Sequence, residues 1–407
     1  MQFLWIGNLE EDTEYNRKIV LGYSNSSAQI AQKNLILGIE SNTKSFVDSI
    51  NGSAVQKYPV YSEKIITRIC WSRANDFSKN FNVSVSFKNQ GYFNRVYCRK
   101  SMIKEAANWM RTRYQHNDKL VVFVYSLRSS SLGTAAFIKK NIPSAKIVLI
   151  VTDLPKYMDL SENLLKRFLK KIDGFYINNY RSKVDRYVLY APKMAKYLKL
   201  TQDQWICMEG CFVPPTKDNR CLPSSSQKTD LFKFTYCGKL EKKYGIELLL
   251  KAFSLIRDRR IRLFISGEGK YSKKISEYCK NDSRIIFYGF LKDRDSVLRL
   301  QSHSDCLINL RLPSEKNSLY SFPSKLFEYI YSGKPVISFE LSSIPSEYYQ
   351  RMFMVEHETV SGLRDIMIKV MNTDKNQLEL MGASNRQFIL DEKNNVVQTK
   401  KILDFIS

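Results

Sequence analysis

Two doubly wound, Rossmann-like α/β domains facing across a cleft are predicted by three features of this 407-residue sequence. Short continuous apolar runs alternate with amphipathic stretches, the alternation occurs twice, and a segment of different composition separates the two series. The length suffices for two cores of ordinary domain size. A composition of 43% apolar and 26% charged residues belongs to a folded chain.

In the first series, residues 2–6 read as a strand and 27–39 as a helix. Residues 42–118 are poorly patterned, with a strand-like VSVSF at 83–87 and a helical pattern over 101–113. LVVFVYS (120–126) and KIVLIVTD (146–153) are continuous and β-branched, as in strands covered on both faces. Residues 131–141 between them read as a helix. NLLKRFLKK (163–171) reads as a helix and DGFYINN (173–179) as a further strand.

Residues 213–230, rich in Pro, Ser and charge and without periodicity, have the composition of a linker. Beyond them, strands are predicted at 232–238, 261–267, 284–290, 305–311 and 334–340. Helices are predicted at 244–256, 271–280, 295–302 and 322–333, and a helical tail over about 374–406. The expected division is an N-terminal domain over 1–215, a C-terminal domain over 228–385, and a final helix over 386–407. Ligands of such sheets sit at the carboxyl ends of the strands.

The net charge is +24, from 64 basic and 40 acidic residues, and residues 51–200 alone hold 28 basic against 9 acidic. A field of this sign attracts polyanions: nucleic acid, an anionic membrane leaflet or phosphorylated substrates. No zinc-ligand spacing, RNP-like strand or Gly-interleaved basic run supports nucleic acid, and none is expected as a partner. A solvated basic surface is the plain alternative. Three histidines and no CxxC pair argue against a metal centre built on those ligands. Cys237 and Cys306 lie in strand-like runs and read as small buried hydrophobes. With no apolar run approaching about 18 residues, the chain is expected in the cytoplasm, peripheral to the inner face of the membrane.

FPSKLFEYIYSGKPVI (322–337) carries the most chemistry. Pro323 suits the first turn of a helix and Gly333 the position that ends one. Lys325 in that first turn opposes the helix dipole unless an anion sits there, held by free amides and the ammonium together. Glu328, one turn on, could accept from ribose hydroxyls. The alternative is a surface Lys325–Glu328 pair worth a few tenths of a kcal/mol. Gly238-Lys239 closes one predicted strand and Gly267-Glu268-Gly269 another. Either is a phosphate-approaching turn or an ordinary strand-to-helix turn. Asn25, Ser26 and Ser27 read as a helix cap. Asp153 faces a cleft or caps the turn at Pro155. Leu164, Leu165, Phe168, Leu169 and Ile172, alternating with Lys166, Arg167, Lys170 and Lys171, form an amphipathic basic helix. Its apolar stripe is expected to pack on the sheet.

Together the segments YCGKLEKKYGIELLLKAF, FISGEGKY, RIIFYGFL, DCLINLR, FPSKLFEYIYSGKPVI and IPSEYY resemble the donor-binding domain of GT-B glycosyltransferases. The closest resemblance is to the retaining family-four group that builds bacterial capsular polysaccharide and exopolysaccharide. It covers about 230–350, and VTDLPKYM (151–158) resembles the acceptor domain more loosely. It implies a metal-independent hexosyltransferase with no cofactor beyond its substrate, a nucleotide-sugar expected to be a UDP-sugar. The implied acceptor is a saccharide, lipid-diphosphate-linked on the charge argument. By the same resemblance, Gly238 and Lys239 lie by the donor diphosphate with Gly267 among the donor-binding residues, Lys325 neutralises it, Glu328 holds the ribose, and the final helix crosses back to the first domain. Phe322 and Ser324 line the same loop, with Asn309 and Arg311 at its edge. Lys239 and Lys325 would serve catalysis by stabilising the leaving group, and Asp153 by contacting the acceptor. The sequence departs from the family pattern at Tyr320, where a glutamate is common, at Lys239, where Arg is common, and at Tyr244, where Lys is common. The alternatives are a non-catalytic partner of another transferase, a sugar-nucleotide epimerase, and a nucleic-acid binder. Turnover, cleft carboxylates with histidines, and salt-sensitive DNA binding respectively tell them apart.

Overall fold

The computed structural model describes residues 1–11, 26–53, 58, 63–90, 93–116, 118–154, 164–214, 231–291 and 293–407, excepting the side chains of 26, 164–167 and 294. Most of the linker-like segment, Asn25 of the cap, and 155–158 of the VTDLPKYM stretch lie outside the described residues. The chain forms two compact units: Met1–Cys211 with Asn395–Ser407, and Phe212–Asn394.

Unit 1 is built on an eight-stranded sheet. Its strands are β1 (Gln2–Gly7), β2 (Val47–Asn51), β4 (Ile69–Trp71), β5 (Asn82–Ser84), β7 (Leu120–Tyr125), β8 (Lys146–Val151), β9 (Arg186–Leu189) and β10 (Trp205–Cys207). They run in the order β10-β9-β8-β7-β1-β2-β5-β4, parallel except for β4 against β5. Every residue of β7 is buried, as its continuous apolar run requires of a strand covered on both faces. The helices are α1 (Ser26–Thr43), α2 (Asn94–Thr112), α3 (Ser129–Asn141), α4 (Leu164–Arg181), α5 (Lys193–Leu198) and, from the end of the chain, α12 (Asn395–Ile406), which packs on α1. The order reverses between β1 and β7, so this unit has a topological switch point there.

Three expectations are corrected here. Residues 173–179 are not a strand but the second half of α4. The run GFYIN suggested a strand, yet its anchors recur at helical spacing: Asp173 accepts from Ser129 Oγ, Ile177 is buried, and Tyr176 and Tyr180 flank the Arg99 guanidinium. The stripe of α4 expected on the sheet is open in part: Leu169 is half-buried and the side chains of Leu164 and Leu165 lie outside the described residues, but Phe168 is 59% and Ile172 40% exposed, and Phe175 beside them 71%. Residues 83–87 are not one strand either. The chain joins the main sheet at β5 and then leaves it for β6 (Phe87–Lys88), which pairs antiparallel with β3 (Ile65–Ile66).

Unit 2 carries a six-stranded, wholly parallel sheet ordered β13-β12-β11-β14-β15-β16. The strands are β11 (Phe232–Cys237), β12 (Ile261–Ser266), β13 (Ile285–Phe287), β14 (Cys306–Asn309), β15 (Val336–Phe339) and β16 (Phe353–Val355). They alternate with α6 (Ile246–Ser254), α7 (Ser272–Asn281), α8 (Arg294–Ser302), α9 (Lys325–Tyr331) and α10 (Val360–Met371), and α11 (Lys375–Glu392) follows. Cys306 packs in the core as an apolar residue and Cys237 ends β11, buried. The strand order reverses between β11 and β14, which makes the carboxyl ends of those two strands the natural ligand crevice of this unit. Phe212 and Asn394, the first and last residues of unit 2, face each other in an isolated parallel bridge.

Candidate functional site

The candidate residues of unit 2 lie at or just past the carboxyl end of a strand, on α9, or, for Phe322 and Ser324, in the loop that leads into α9, so the parallel sheet gathers them along one edge. Gly238 and Lys239 follow β11, Gly267 follows β12, Asn309 ends β14 and Arg311 follows it. α9 brings Lys325 to the same edge. Its ammonium donates to the Cys237 carbonyl at 2.7 Å and lies 4.8 Å from the centre of the Tyr236 ring. A Cβ on Gly238 would stand 2.3 Å from that nitrogen, so the glycine leaves the space the ammonium occupies. Gly267 is tighter still, because with φ +146° its own Cβ would fall 1.8 Å from the Gly238 carbonyl oxygen. The two turns therefore touch backbone to backbone.

Desolvation is the main cause that brings the Lys325 pKa down to about 8. The Arg311 guanidinium pushes it the same way, while Cys237 and Glu328 oppose. The same enclosure pushes the Cys237 thiol up to about 12. The cation is thus held where its charged form is least comfortable. Arg311 donates to the Ser321 carbonyl at 2.8 Å, and Lys239 is exposed with no ion pair among the described residues. Asn309 is 1% exposed. Its Nδ2 donates to Ser338 Oγ at 2.9 Å, while its Oδ1 is buried without a partner among the described residues.

Two details differ from the sequence reading. The amides expected to be free at the start of α9 are partly used, since Leu326 N–H donates to the Pro323 carbonyl and Phe327 N–H to that of Ser324. Anion binding here must lean on the ammonium more than on the helix. Phe322 sends its ring into the core, with centroids 5.2 Å from Phe327 and 5.5 Å from Tyr348, whereas Ser324 is exposed and Glu328 half-buried. Tyr329 was not anticipated. Its buried hydroxyl accepts from Cys237 N–H at 3.1 Å and sits 3.2 Å from the Cys237 carbonyl, pinning α9 to the end of β11. Its place directly after Glu328, on the inward face of α9, was the available signal.

Asp153 belongs to unit 1, two residues past β8. Around it lie Tyr125 at the end of β7, Tyr190 after β9, and Glu209 and Cys211 after β10. Burial, then the Asp153 charge, push the Tyr125 hydroxyl up, against the pull of Arg128. Burial, Tyr125, Cys211, Asp153 and Glu209 all push Tyr190 up. Tyr190 is 9% exposed and its Oη has no hydrogen-bond partner among the described residues. Of this cluster the sequence reading named Asp153 alone.

Residues 222–387, about two-fifths of the chain, match the family model described as glycosyl transferases group 1. No curated protein matches the sequence. Many solved structures do, at low identity. An α,α-trehalose-phosphate synthase (UDP-forming) from Burkholderia xenovorans, in complex with glucose-6-phosphate, matches with TM-score 0.68 and 7% identity, covering 100% of both chains. Anabaena HepE in complex with UDP gives 0.63 and 10%, covering 99% of both. Staphylococcus aureus TarM, in a complex that includes UDP, gives 0.61 and 9%, covering 100% of both. These likenesses establish the fold of two Rossmann-like sheets known as GT-B.

Proposed function

We propose that the chain is a glycosyltransferase that moves a hexosyl group from a UDP-sugar to a saccharide acceptor with retention of configuration. The observation that carries the reading is Lys325: a desolvated ammonium, without a carboxylate hydrogen-bonded to it, held against the glycine turns at the switch point of a parallel sheet. A diphosphate brought there would supply the countercharge that the protein withholds. The family match over 222–387 and the UDP present in two of the similar structures support the same ligand.

On this reading the leaving UDP accumulates charge as the glycosidic bond breaks, and Lys325, with exposed Lys239 beside it, stabilises that charge. Asn309 Oδ1, buried and unpartnered, is suited to accept from a donor hydroxyl. The acceptor hydroxyl attacks the face the UDP leaves, and Asp153 contacts the acceptor.

The acceptor is proposed to be lipid-diphosphate-linked, as in capsule or exopolysaccharide assembly, with the protein peripheral on an anionic membrane. Phe168, Ile172 and Phe175 of α4 support this: they stand exposed at helical spacing beside Lys170 and Lys171, an arrangement suited to lying in a bilayer interface. Among the described residues no helix is long and apolar enough to cross a membrane.

A melting-temperature screen against UDP, GDP, dTDP, CMP and a DNA duplex tests the donor, because a ligand of the native state alone raises the transition. A shift with UDP, lost in Lys325→Ala, is the expected result. A shift with DNA and none with any nucleotide would sink the reading. UDP binding without release of UDP from any UDP-sugar would leave a non-catalytic partner in its place.

A further inference from the structure

We propose that the corner between β7 and α3 in unit 1 binds the anionic group of the acceptor, a phosphate or diphosphate ester, through the Arg128 guanidinium. Only the word acceptor rests on the transfer reading; the anion site does not.

Position comes first. Arg128 stands at the switch point of the unit 1 sheet, past the carboxyl end of β7, where parallel sheets bind their ligands. It is also the N-cap residue of α3, a helix of 13 residues whose dipole favours an anion at this end. The backbone leading into it is unusual, since Ser126 takes a left-handed φ of +64°, which a serine adopts at a cost.

Arg128 has no ion pair or side-chain hydrogen bond to any described residue. Burial pushes its pKa down, and the charge of neighbouring Arg95 pushes it further. The carboxylate at this corner is Asp173, which already pairs with Arg95 and accepts from Ser129 Oγ. Arg128 is half-buried, so its guanidinium, left without a countercharge by its described neighbours, remains open to an anionic ligand.

The remainder of the cluster defines the rest of the ligand. Tyr125 is influenced by Arg128 on one side and by Asp153 on the other, and Tyr190 by Asp153 and Glu209. Tyr190 Oη is nine-tenths buried and unpartnered, a second group waiting for a polar ligand. A guanidinium fork suits a phosphate, and carboxylates with a phenol suit sugar hydroxyls. The class that offers both is a phosphorylated saccharide, either free in solution or esterified to a lipid.

Calorimetric titration of the full chain saturated with UDP uses glucose 6-phosphate, farnesyl diphosphate and farnesol as probes. The expected result is that one or both esters bind and farnesol does not. Arg128→Gln should then weaken ester binding about tenfold or more, and Arg128→Lys should recover part of it. UDP affinity, measured separately, should be unchanged in both variants, and a circular-dichroism melting curve matching wild type shows that unit 1, which carries Arg128, still folds. Binding of glucose 6-phosphate alone assigns the site to a soluble ester, and binding of farnesyl diphosphate alone to a lipid-linked one. Ester binding that is equal in wild type and Arg128→Gln, or no ester binding at all, overturns the proposal. If UDP itself fails to bind, the titration is run without it; Arg128-dependent ester binding then sustains this site while the donor reading falls.

Discussion

The Lys325 ammonium and the Cys237 carbonyl meet at 2.7 Å across the start of α9 and the end of β11. That bond satisfies one of three ammonium donors and none of the charge. Lys325→Met should therefore leave the melting temperature of the empty protein unchanged or raise it, because a desolvated charge is removed. The upward shift caused by UDP should vanish. Scanning fluorimetry with and without UDP reads both quantities, and a large fall in the empty protein's transition would show that the lysine is structural instead.

The lowered pKa of Lys325 makes donor binding a proton-linked event. At a pKa of about 8 the empty site is partly neutral in mildly alkaline solution, and a bound diphosphate favours the charged form. UDP binding should take up protons from about pH 8 upward, and UDP affinity should fall across the same range. The sign for stability is opposite to that of a favourable ion pair. The unfolded lysine holds its proton up to the ordinary lysine pKa of about 10.5, so between about 8 and 10.5 the unfolded state binds more protons and this group's contribution to stability rises with pH. Calorimetry in buffers of different ionisation enthalpy measures the uptake directly.

Gly267→Ala tests the contact of the two turns. With no room for a Cβ beside the Gly238 carbonyl, the β12 turn must move, and a loss of about 1–3 kcal/mol is expected. UDP affinity should fall with it, because the turn that moves is the one packed against Gly238. Urea unfolding monitored by circular dichroism gives the first number and calorimetry the second.

Tyr329→Phe removes a hydroxyl that serves both polar groups of Cys237 and leaves the buried Cys237 amide without its acceptor. A destabilisation of about 1–3 kcal/mol is expected. Donor affinity should fall less than in Lys325→Ala, since the cation remains. Equal losses in the two variants would assign the tyrosine a direct part in binding.

On α4, Phe168→Ser with Phe175→Ser should leave thermal stability nearly unchanged, because both rings are already in solvent. Co-sedimentation with vesicles rich in anionic lipid should drop several-fold, and high salt should weaken what remains. Sedimentation of the double variant equal to wild type would remove α4 from the membrane surface.

The parallel strands were the most legible part of the fold because each is a continuous apolar run, and burial on both faces leaves that signature in one dimension. Strands β9 and β10 have half-exposed or polar positions among few residues and did not stand out. The second half of α4 was misread because its fixing contacts, Asp173 to Ser129 and Tyr176 and Tyr180 to Arg99, involve partners distant in sequence. At the candidate site, Lys325 and the glycines were visible as residue types that conflict with local rules unless a ligand is present. Tyr329 and Tyr190 were not, since a tyrosine in an apolar stretch reads as core until its hydroxyl can be placed. Arg128 was hidden in the same way. An arginine looks solvated in a sequence, and the folded environment alone reveals that its charge is left unanswered.

Phe212 and Asn394 bridge the two ends of unit 2, and Asn395–Ile406 returns to lie on α1. During synthesis on the ribosome the consequence is an inverted order of completion. Unit 2 is one uninterrupted stretch and can close as soon as its last residue emerges. Unit 1, begun first, waits for the final helix. Gln398 Nε2, which donates to the Gly210 carbonyl at 3.0 Å, arrives 188 residues after its partner. A released chain that ends just past Asn394 would carry a complete second unit and an incomplete first one, with the surface of α1 that α12 covers open to solvent and to chaperones.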